Sequence, residues 1–436
     1  MRERLRNALI MLRSQLWVVP IGMSCVAIVL AFALLGWKGS WLFNGDAETA
    51  RNLLSALLSG LLTMTSLVVS ITFVILTLAS NQLGPRLVIN FISDRQIQVV
   101  IGLFLGTSLY ILVVLRSLDG TLGPEQLPHV AVTASTVLTT ICLFALLFYV
   151  HKVARSTVAD TVAEQVYGRL LEAIDSLPDQ EEVEGRDTSS PPAGFDAPRL
   201  THVGLGRTGY IQTIDYDGLV VLADKHDVQF LVTVRAGHFV LKSGEHVVVH
   251  GTLRHADDEL EDAVRGAFVL GAERSPAQDL EYSIRQLVEI GLRALSPGIN
   301  DPFTAIAVID RLGAGLEEIM SKTLHPSFYR DDGGTVRVIA DHSHVEGIID
   351  ACFTQLRQAG SEHPSVLIHL ADTFARLSGS AAGERAHAGM LAHLRAIEEA
   401  ARSGRLIATD QAAVLVRAAA AIQAVEGLAV ATGKNC

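Results

Sequence analysis

The sequence predicts an α-helical integral membrane protein with four transmembrane helices and a cytosolic α+β part, made of a small β-rich module and a helical bundle. Two observations predict it. Residues 1–150 hold four apolar stretches without Lys, Arg, Asp or Glu: Ser14–Trp37, Asn52–Pro85, Gln96–Leu115 and Gln126–Val150. Each reaches the roughly 20 mainly apolar residues that a spanning helix needs, because unpaired backbone groups are too costly in hydrocarbon. The rest of the chain is charged and alternates strand-like with helix-like patterns. Residues 1–150 carry 9 Lys+Arg against 6 Asp+Glu and the remainder 26 against 40. That acidic excess argues against a nucleic-acid surface and against broad docking on anionic lipid.

The first apolar run follows Arg2, Arg4, Arg6 and Arg13, and the fourth precedes Lys152 and Arg155. Arg86 and Arg95 lie between the second and third runs. On the other side Lys38, Arg51 and Arg116 are offset by Asp46, Glu48, Asp119 and Glu125. The positive-inside rule then places both termini in the cytoplasm, with the chain in the inner membrane. The first run is too long for a signal peptide and reads as an uncleaved anchor.

The second run has 34 residues. As one helix it would extend about 50 Å, against a hydrocarbon core of about 30 Å. It must therefore tilt, kink near Gly60, or project past the membrane before Gly84-Pro85 stops it. Along it Ser59, Thr63, Ser66, Ser70 and Thr77 recur at helical spacing, a stripe of small hydroxyl side chains. Such a stripe either packs helices closely or, repeated around an oligomer axis, lines a weakly polar pore. The third run contains Gly102-Leu103-Phe104-Leu105-Gly106, a flat surface for close helix contact. No span carries a central acid or base, which weakens a proton-coupled mechanism. His129, at the start of the fourth, reads as a solvated end residue.

Domain 1–150 is followed by a juxtamembrane stalk helix over 151–177. Its stripe Val158, Val162, Val166, Leu170, Ile174 and Leu177 asks for a packing partner. Residues 178–200, rich in Asp, Glu, Gly, Ser and Pro, read as a flexible linker. A small α+β module spans 201–271. Strands are predicted over Thr208–Ile214, Val228–Val234, Phe239–Leu241 and His246–Val249, with a turn at Asp215-Tyr216-Asp217-Gly218 and a short helix over Leu219–His226. The glycine–valine–glycine rhythm of Gly237–Glu245 is similar to small β-sandwich modules of the biotinyl-carrier type, but Met-Lys-Met is absent, so the carrier chemistry does not transfer.

Residues 272–436 read as mainly helical. In their first helix Leu280, Ile284, Leu287, Val288 and Leu295 form the core face, while Glu281, Arg285, Glu289 and Arg293 form a charge ladder at i,i+4. The ladder is expected on a solvated face, with a buried subunit contact as the alternative. In Ser296-Pro297-Gly298-Ile299-Asn300-Asp301-Pro302-Phe303, Gly298 suits a helix end, Asp301 caps the next helix and Pro302 takes its first position. Asn300 and Asp301 could also form a ligand loop, although an acid disfavours anions there. Asp341-His342-Ser343-His344 with Glu346, His363 and His369 offer metal donors without a metal motif, and Asp341 or Ser343 is expected to cap a helix. Four scattered cysteines without CxxC make neither a disulfide framework nor a zinc site. No nucleophile elbow, P-loop or dinucleotide fingerprint occurs, so no catalytic residue, metal or cofactor is expected.

Two stretches carry a resemblance. One is Leu78-Ala79-Ser80-Asn81-Gln82-Leu83-Gly84-Pro85-Arg86, with Gly106-Thr107 downstream. The other is Gln286–Ile290 followed by Ala294-Leu295-Ser296-Pro297-Gly298-Ile299-Asn300-Asp301-Pro302-Phe303-Thr304-Ala305. Through them the chain resembles a bacterial family of predicted membrane proteins known as domain of unknown function 2254. The resemblance implies an architecture and no established activity. Asn81, Gln82, Arg86, Glu289, Asn300 and Asp301 are candidate functional positions by motif membership alone. The expected partners are the lipid bilayer and further copies of the chain, with any small-molecule or ion ligand open. The expected role is non-enzymatic: an oligomeric channel-like or transport-associated protein with a cytosolic assembly or gating domain. The alternatives are a membrane-tethered scaffold or sensor and, less favoured, a membrane-anchored metal-dependent enzyme.

Overall fold

A computed structural model describes residues 17–37, 46–83, 94–118, 127–156, 159–177, 199–251, 258–322, 324, 328–380 and 384–432. The chain forms two compact units, Met1–Val162 and Ala163–Cys436. In the first, four apolar helices follow in order: α1 (Val18–Leu35), α2 (Ala47–Leu83), α3 (Arg95–Ser117) and α4 (His129–Ser156). Asp46 opens α2 by accepting from the Thr49 amide at 2.9 Å, and Asp94 opens α3 by accepting from Gln96 and Ile97. Such caps satisfy amides that have no partner inside the helix. The helix α2 runs unbroken through Gly60.

The helix α3 is the most deeply packed of the four. Its Gly102 and Gly106 face α1, where an added Cβ would meet Met23 and Pro20 at the first glycine, and Ala27 and Met23 at the second. The GxxxG thus serves close approach within one chain. Two buried polar pins join the other helices. Tyr149 of α4 shares a 2.6 Å hydrogen bond with Thr72 of α2, and the Tyr110 hydroxyl of α3 donates to the Ala131 carbonyl of α4.

The second unit contains most of α5 (Ala159–Asp175), whose Val166, Leu170, Ile174 and the following Leu177 are buried as the stalk stripe anticipated. Gly315 admits Leu170 and Tyr167 at close range, and Glu164 pairs with Arg311 at 3.0 Å, so α5 packs on α9 (Pro302–Ser321). The mixed region has two small sheets. In chain order its elements are β1 (Arg199–Val203), β2 (Gly209–Ile214), α6 (Tyr216–His226), β3 (Val228–Val232), β4 (Phe239–Val240), β5 (Val247–Gly251), α7 (Asp258–Gly266) and β6 (Phe268–Gly271). After α8 (Glu281–Ala294) and α9 come β7 (Phe328–Arg330) and β8 (Val336–Ala340). The sheets run β1-β5-β3-β8-β7 and β4-β2-β6.

Several local expectations change. The Asp215–Gly218 signal is a helix start, since Asp215 accepts from the Gly218 amide at 2.9 Å and caps α6. Strands β1, β6, β7 and β8 lie where none was expected: β1 takes Arg199 and Leu200 from the expected linker by pairing with β5, and the other three are short, two of them within a helical context. The strand β8 pairs in parallel with β3, so one sheet draws on both sides of residue 272. The Gly237–Glu245 rhythm supplies β4, an edge strand of the three-stranded sheet β4-β2-β6. The expected linker falls largely on residues 178–198, outside the described residues.

The remaining helices are α10 (Val345–Ala359), α11 (Pro364–Leu377), α12 (Glu384–Ser403) and α13 (Ala408–Thr432). Among the described residues five helices, not four, are long and apolar enough to cross a membrane; the fifth lies within α13, over Ala408–Leu428. It packs on α11 and α12, burying Val414, Ala418, Ala421 and Val425. Arg417 pairs with Asp372 of α11 at 2.9 Å, and Glu426 lies 3.6 Å from Arg395 of α12. Alanine supplies much of its apolar character, which is why the sequence pattern read it as a bundle helix.

Candidate functional site

Two constellations stand out, one in each unit. In the first, α2 buries Ala50, Leu54, Leu61, Val68, Thr72 and Ile75 against its own bundle. Ser59, Thr63, Ser66, Ser70 and Thr77 are all exposed. The stripe therefore faces away from the subunit that carries it, and shallow depressions run along it beside Thr63, Ser66, Ser70 and Thr77. Thr63 and Thr77 donate to the carbonyls of Ser59 and Phe73 one turn back, at 3.0 and 2.9 Å. Asn81 and Gln82 fall in the last turn of α2, and Arg86 lies outside the described residues.

In the second unit, a cavity of about 280 Å³ sits at the carboxyl ends of the parallel strands β3 and β8. Its organiser is Arg235, in the turn after β3. The guanidinium donates to Asp341 at 2.9 Å and to Glu281 at 3.0 Å. Asp341 directly follows β8 and Glu281 is the first residue of α8, so one side chain ties three elements together. Glu281 is only 5% exposed and also accepts from Arg285 at 2.8 Å and from Ser343 at 2.9 Å. Burial pushes its carboxyl up. The hydrogen bonds from Arg285 and Ser343 and the Arg235 charge outweigh that, and hold it below the usual glutamate value.

The charge ladder thus departs from a solvated face at its first rung. Arg285 is exposed and Glu289 and Arg293 are half-buried, but Glu281 turns inward because a second arginine meets it there. Asp341 and Ser343 do not cap α10; His344 occupies that position, and the two face Arg235 and Glu281 instead.

A further pair, Arg274–Asp279, closes the wall at 2.5 Å. Burial pushes the Asp279 carboxyl up, and Arg274 only partly offsets it. Gly237 sits against this pair with φ +86, and an added Cβ would collide with both Arg274 and Asp279. Glycine is required there on both counts. Opposite, the rings of Tyr216 and Tyr329 stack 4.7 Å apart at 10°, and the Tyr329 hydroxyl meets His342 Nε2 at 3.0 Å. Burial pushes both phenols up, so they are neutral at physiological pH. Burial, with Arg235 nearby, pushes His238 down. Sequence reasoning singled out Glu281 and the Asp341–His344 run but missed Arg235, Asp279 and the two tyrosines. The findable signal was Arg235-Ala236-Gly237, a turn that places a charge immediately after a strand.

The motif loop lies between α8 and α9. Asp301 accepts from the Thr304 amide at 3.1 Å and hydroxyl at 2.6 Å, and Pro302 opens α9 as expected. Those bonds hold the Asp301 carboxyl below its usual value. The left-handed residue is Asn300, φ 50, and not Gly298, because α8 ends earlier, at Ala294. Phe303 is 82% exposed. Among the donor histidines, His369 pairs with Asp310 at 2.7 Å. Among the described residues no group of three His, Cys, Asp or Glu side chains is placed to hold a metal.

The family model described as "Predicted membrane protein (DUF2254)" matches residues 13–376, most of the chain and both constellations. The chain belongs to this family. Similar proteins are "Uncharacterized protein Rv1290c" of Mycobacterium tuberculosis (strain ATCC 25618 / H37Rv) and "Uncharacterized protein Mb1321c" of Mycobacterium bovis (strain ATCC BAA-935 / AF2122/97). Each is 28% identical over 440 residues, covering 98% of this chain and 84% of the relative. No solved structure matches the chain significantly. This DUF2254 member is therefore a multi-pass membrane protein whose family supplies no reaction.

Proposed function

We propose that the protein is an oligomeric, channel-like or transport-associated protein of the cytoplasmic membrane, with both termini inside and a C-terminal unit that assembles or gates it. The outward face of α2 carries this reading. Ser59, Thr63, Ser66, Ser70 and Thr77 are exposed on an apolar helix. Acyl chains offer hydroxyl groups no hydrogen bonds, whereas a second copy, or a weakly polar path between copies, does. The test is flux of ions and small solutes from sealed proteoliposomes, wild type against Ser66→Leu/Ser70→Leu. Flux in the wild type that disappears in an assembled variant supports a conduction path along α2. A monomer in both mild detergent and lipid would defeat the proposal.

One observation favours a second reading, a membrane-tethered scaffold or sensor. The Thr63 and Thr77 hydroxyls already bond their own helix, so they can face lipid or a neighbour at little cost. That reading expects Ser66→Leu/Ser70→Leu to disturb assembly with no flux to lose.

A further inference from the structure

The cavity beside Arg235 has features that packing alone does not call for, and their chemistry is selective. Its charges are matched. Arg235 is held by Asp341 and Glu281, and Arg274 by Asp279. An ionic ligand entering such a wall would give up its hydration and find no unpaired counter-charge. The cavity therefore favours an uncharged molecule.

Its aromatic wall is a stacked pair. Tyr216 and Tyr329 lie face to face at 4.7 Å and 10°, and the tilted His342 ring lies 5.2 Å from Tyr216. A planar ring extends such a stack from an outer face better than an aliphatic group does. The remaining hydrogen-bonding capacity is mixed. The Tyr216 hydroxyl bonds no described residue, Ser343 Oγ keeps lone pairs after donating to Glu281, and the Arg235 fork carries N–H groups beyond the two it gives to the acids. Donors and acceptors side by side suit an amide- or amidine-like edge. At about 280 Å³ the space is at the small end for ligand pockets, enough for one fused or single ring and a modest substituent.

We infer that this cavity binds a small uncharged planar heterocycle of the nucleobase class, as the free base or as its nucleoside. The inference does not depend on conduction through α2, and it gives the C-terminal unit a ligand to respond to.

The test is equilibrium dialysis of the full-length protein in lipid nanodiscs against adenine, hypoxanthine, uracil and their nucleosides, with adenosine monophosphate and choline as charged controls. The expected result is saturable one-to-one binding of at least one neutral compound. The base and nucleoside arms show which form is accepted, and the monophosphate binds at least tenfold more weakly than its nucleoside. Tyr216→Phe keeps the stack and loses the hydroxyl, so affinity falls a few-fold. Ala277→Phe adds bulk to the cavity from its loop without removing a charge, and binding falls at least tenfold. Absence of saturable binding by every neutral compound at millimolar concentration overturns the inference. So does tighter binding of either charged control, or unchanged affinity in Ala277→Phe.

Discussion

The helices α2 and α8 place polar side chains in opposite directions. On α2 the hydroxyls of Ser59, Thr63, Ser66, Ser70 and Thr77 point out and Thr72 is buried with Leu54, Leu61 and Val68; on α8 Glu281 points in and Arg285 points out. The difference follows from what each face must satisfy. A hydroxyl can bond its own helix, as Thr63 does, and then costs little in any surroundings. A carboxylate cannot, and Glu281 is tolerable inside only because Arg235, Arg285 and Ser343 converge on it. Outward polarity in the first unit leaves a surface open for a partner. Inward polarity in the second fixes one arrangement of strand ends and helix start.

The sharpest way to break this comparison is Arg235→Ala, which leaves Glu281 and Asp341 facing each other without their shared cation. Removing one partner of a buried ionic network costs about 3–5 kcal/mol. The variant should lose hydrogen-exchange protection across α8 and β8 in the full-length protein. A loss under about 1 kcal/mol would mean that the network is solvated and contributes as a surface pair does.

Next in size is a contrast within the membrane unit. Gly102→Leu forces a side chain into Met23 and Pro20, an overpacking that costs about 1–3 kcal/mol. Gly60→Leu, on α2 with nothing within 4 Å of its Cβ position, should leave thermal stability in detergent nearly unchanged. Equal melting of the two variants would refute the assignment of the GxxxG to the α1–α3 contact.

These elements show what the sequence made legible. The four spans, the cap at Asp301 and the α5 stripe follow from local rules: charge-free length, capping chemistry and helical period. The Arg235 site does not, because its members come from five places in the chain and meet only when β8 pairs with β3. That parallel pairing joins residues about a hundred positions apart and leaves no local periodic trace. The direction of Glu281 was illegible for the same reason, since an i,i+4 ladder looks alike whether or not a distant arginine waits on one rung.

Acid sharpens the comparison at the third level. The Glu281 carboxyl lies below the ordinary glutamate value of 4.5 in the fold. Its stabilising contribution is therefore complete above that value and is lost as pH falls through the lower, folded-state value. Glu281→Gln should lower stability at pH 7 and flatten its decline below about pH 4.5. Asp279 has the opposite sign: its raised carboxyl opposes folding at neutral pH and relaxes as acid protonates it. Equal acid slopes for wild type and Glu281→Gln would mean that Glu281 is not ionised inside the network.

The smallest effect is the most discriminating for the membrane unit. Thr63→Val removes an exposed hydroxyl whose hydrogen bond runs to its own helix, at the Ser59 carbonyl. For an isolated subunit the change should stay within about 0.5 kcal/mol, the range of surface substitutions that leave no group unsatisfied. Valine is close to threonine in shape, so close helix packing would also survive it. Only a polar path would notice the loss of a hydroxyl at constant shape. If the subunit's melting and assembly are unchanged while flux in proteoliposomes falls, the stripe faces water or ions. If all three stay the same, the stripe is a packing surface, and the search for function moves to the cavity beside Arg235.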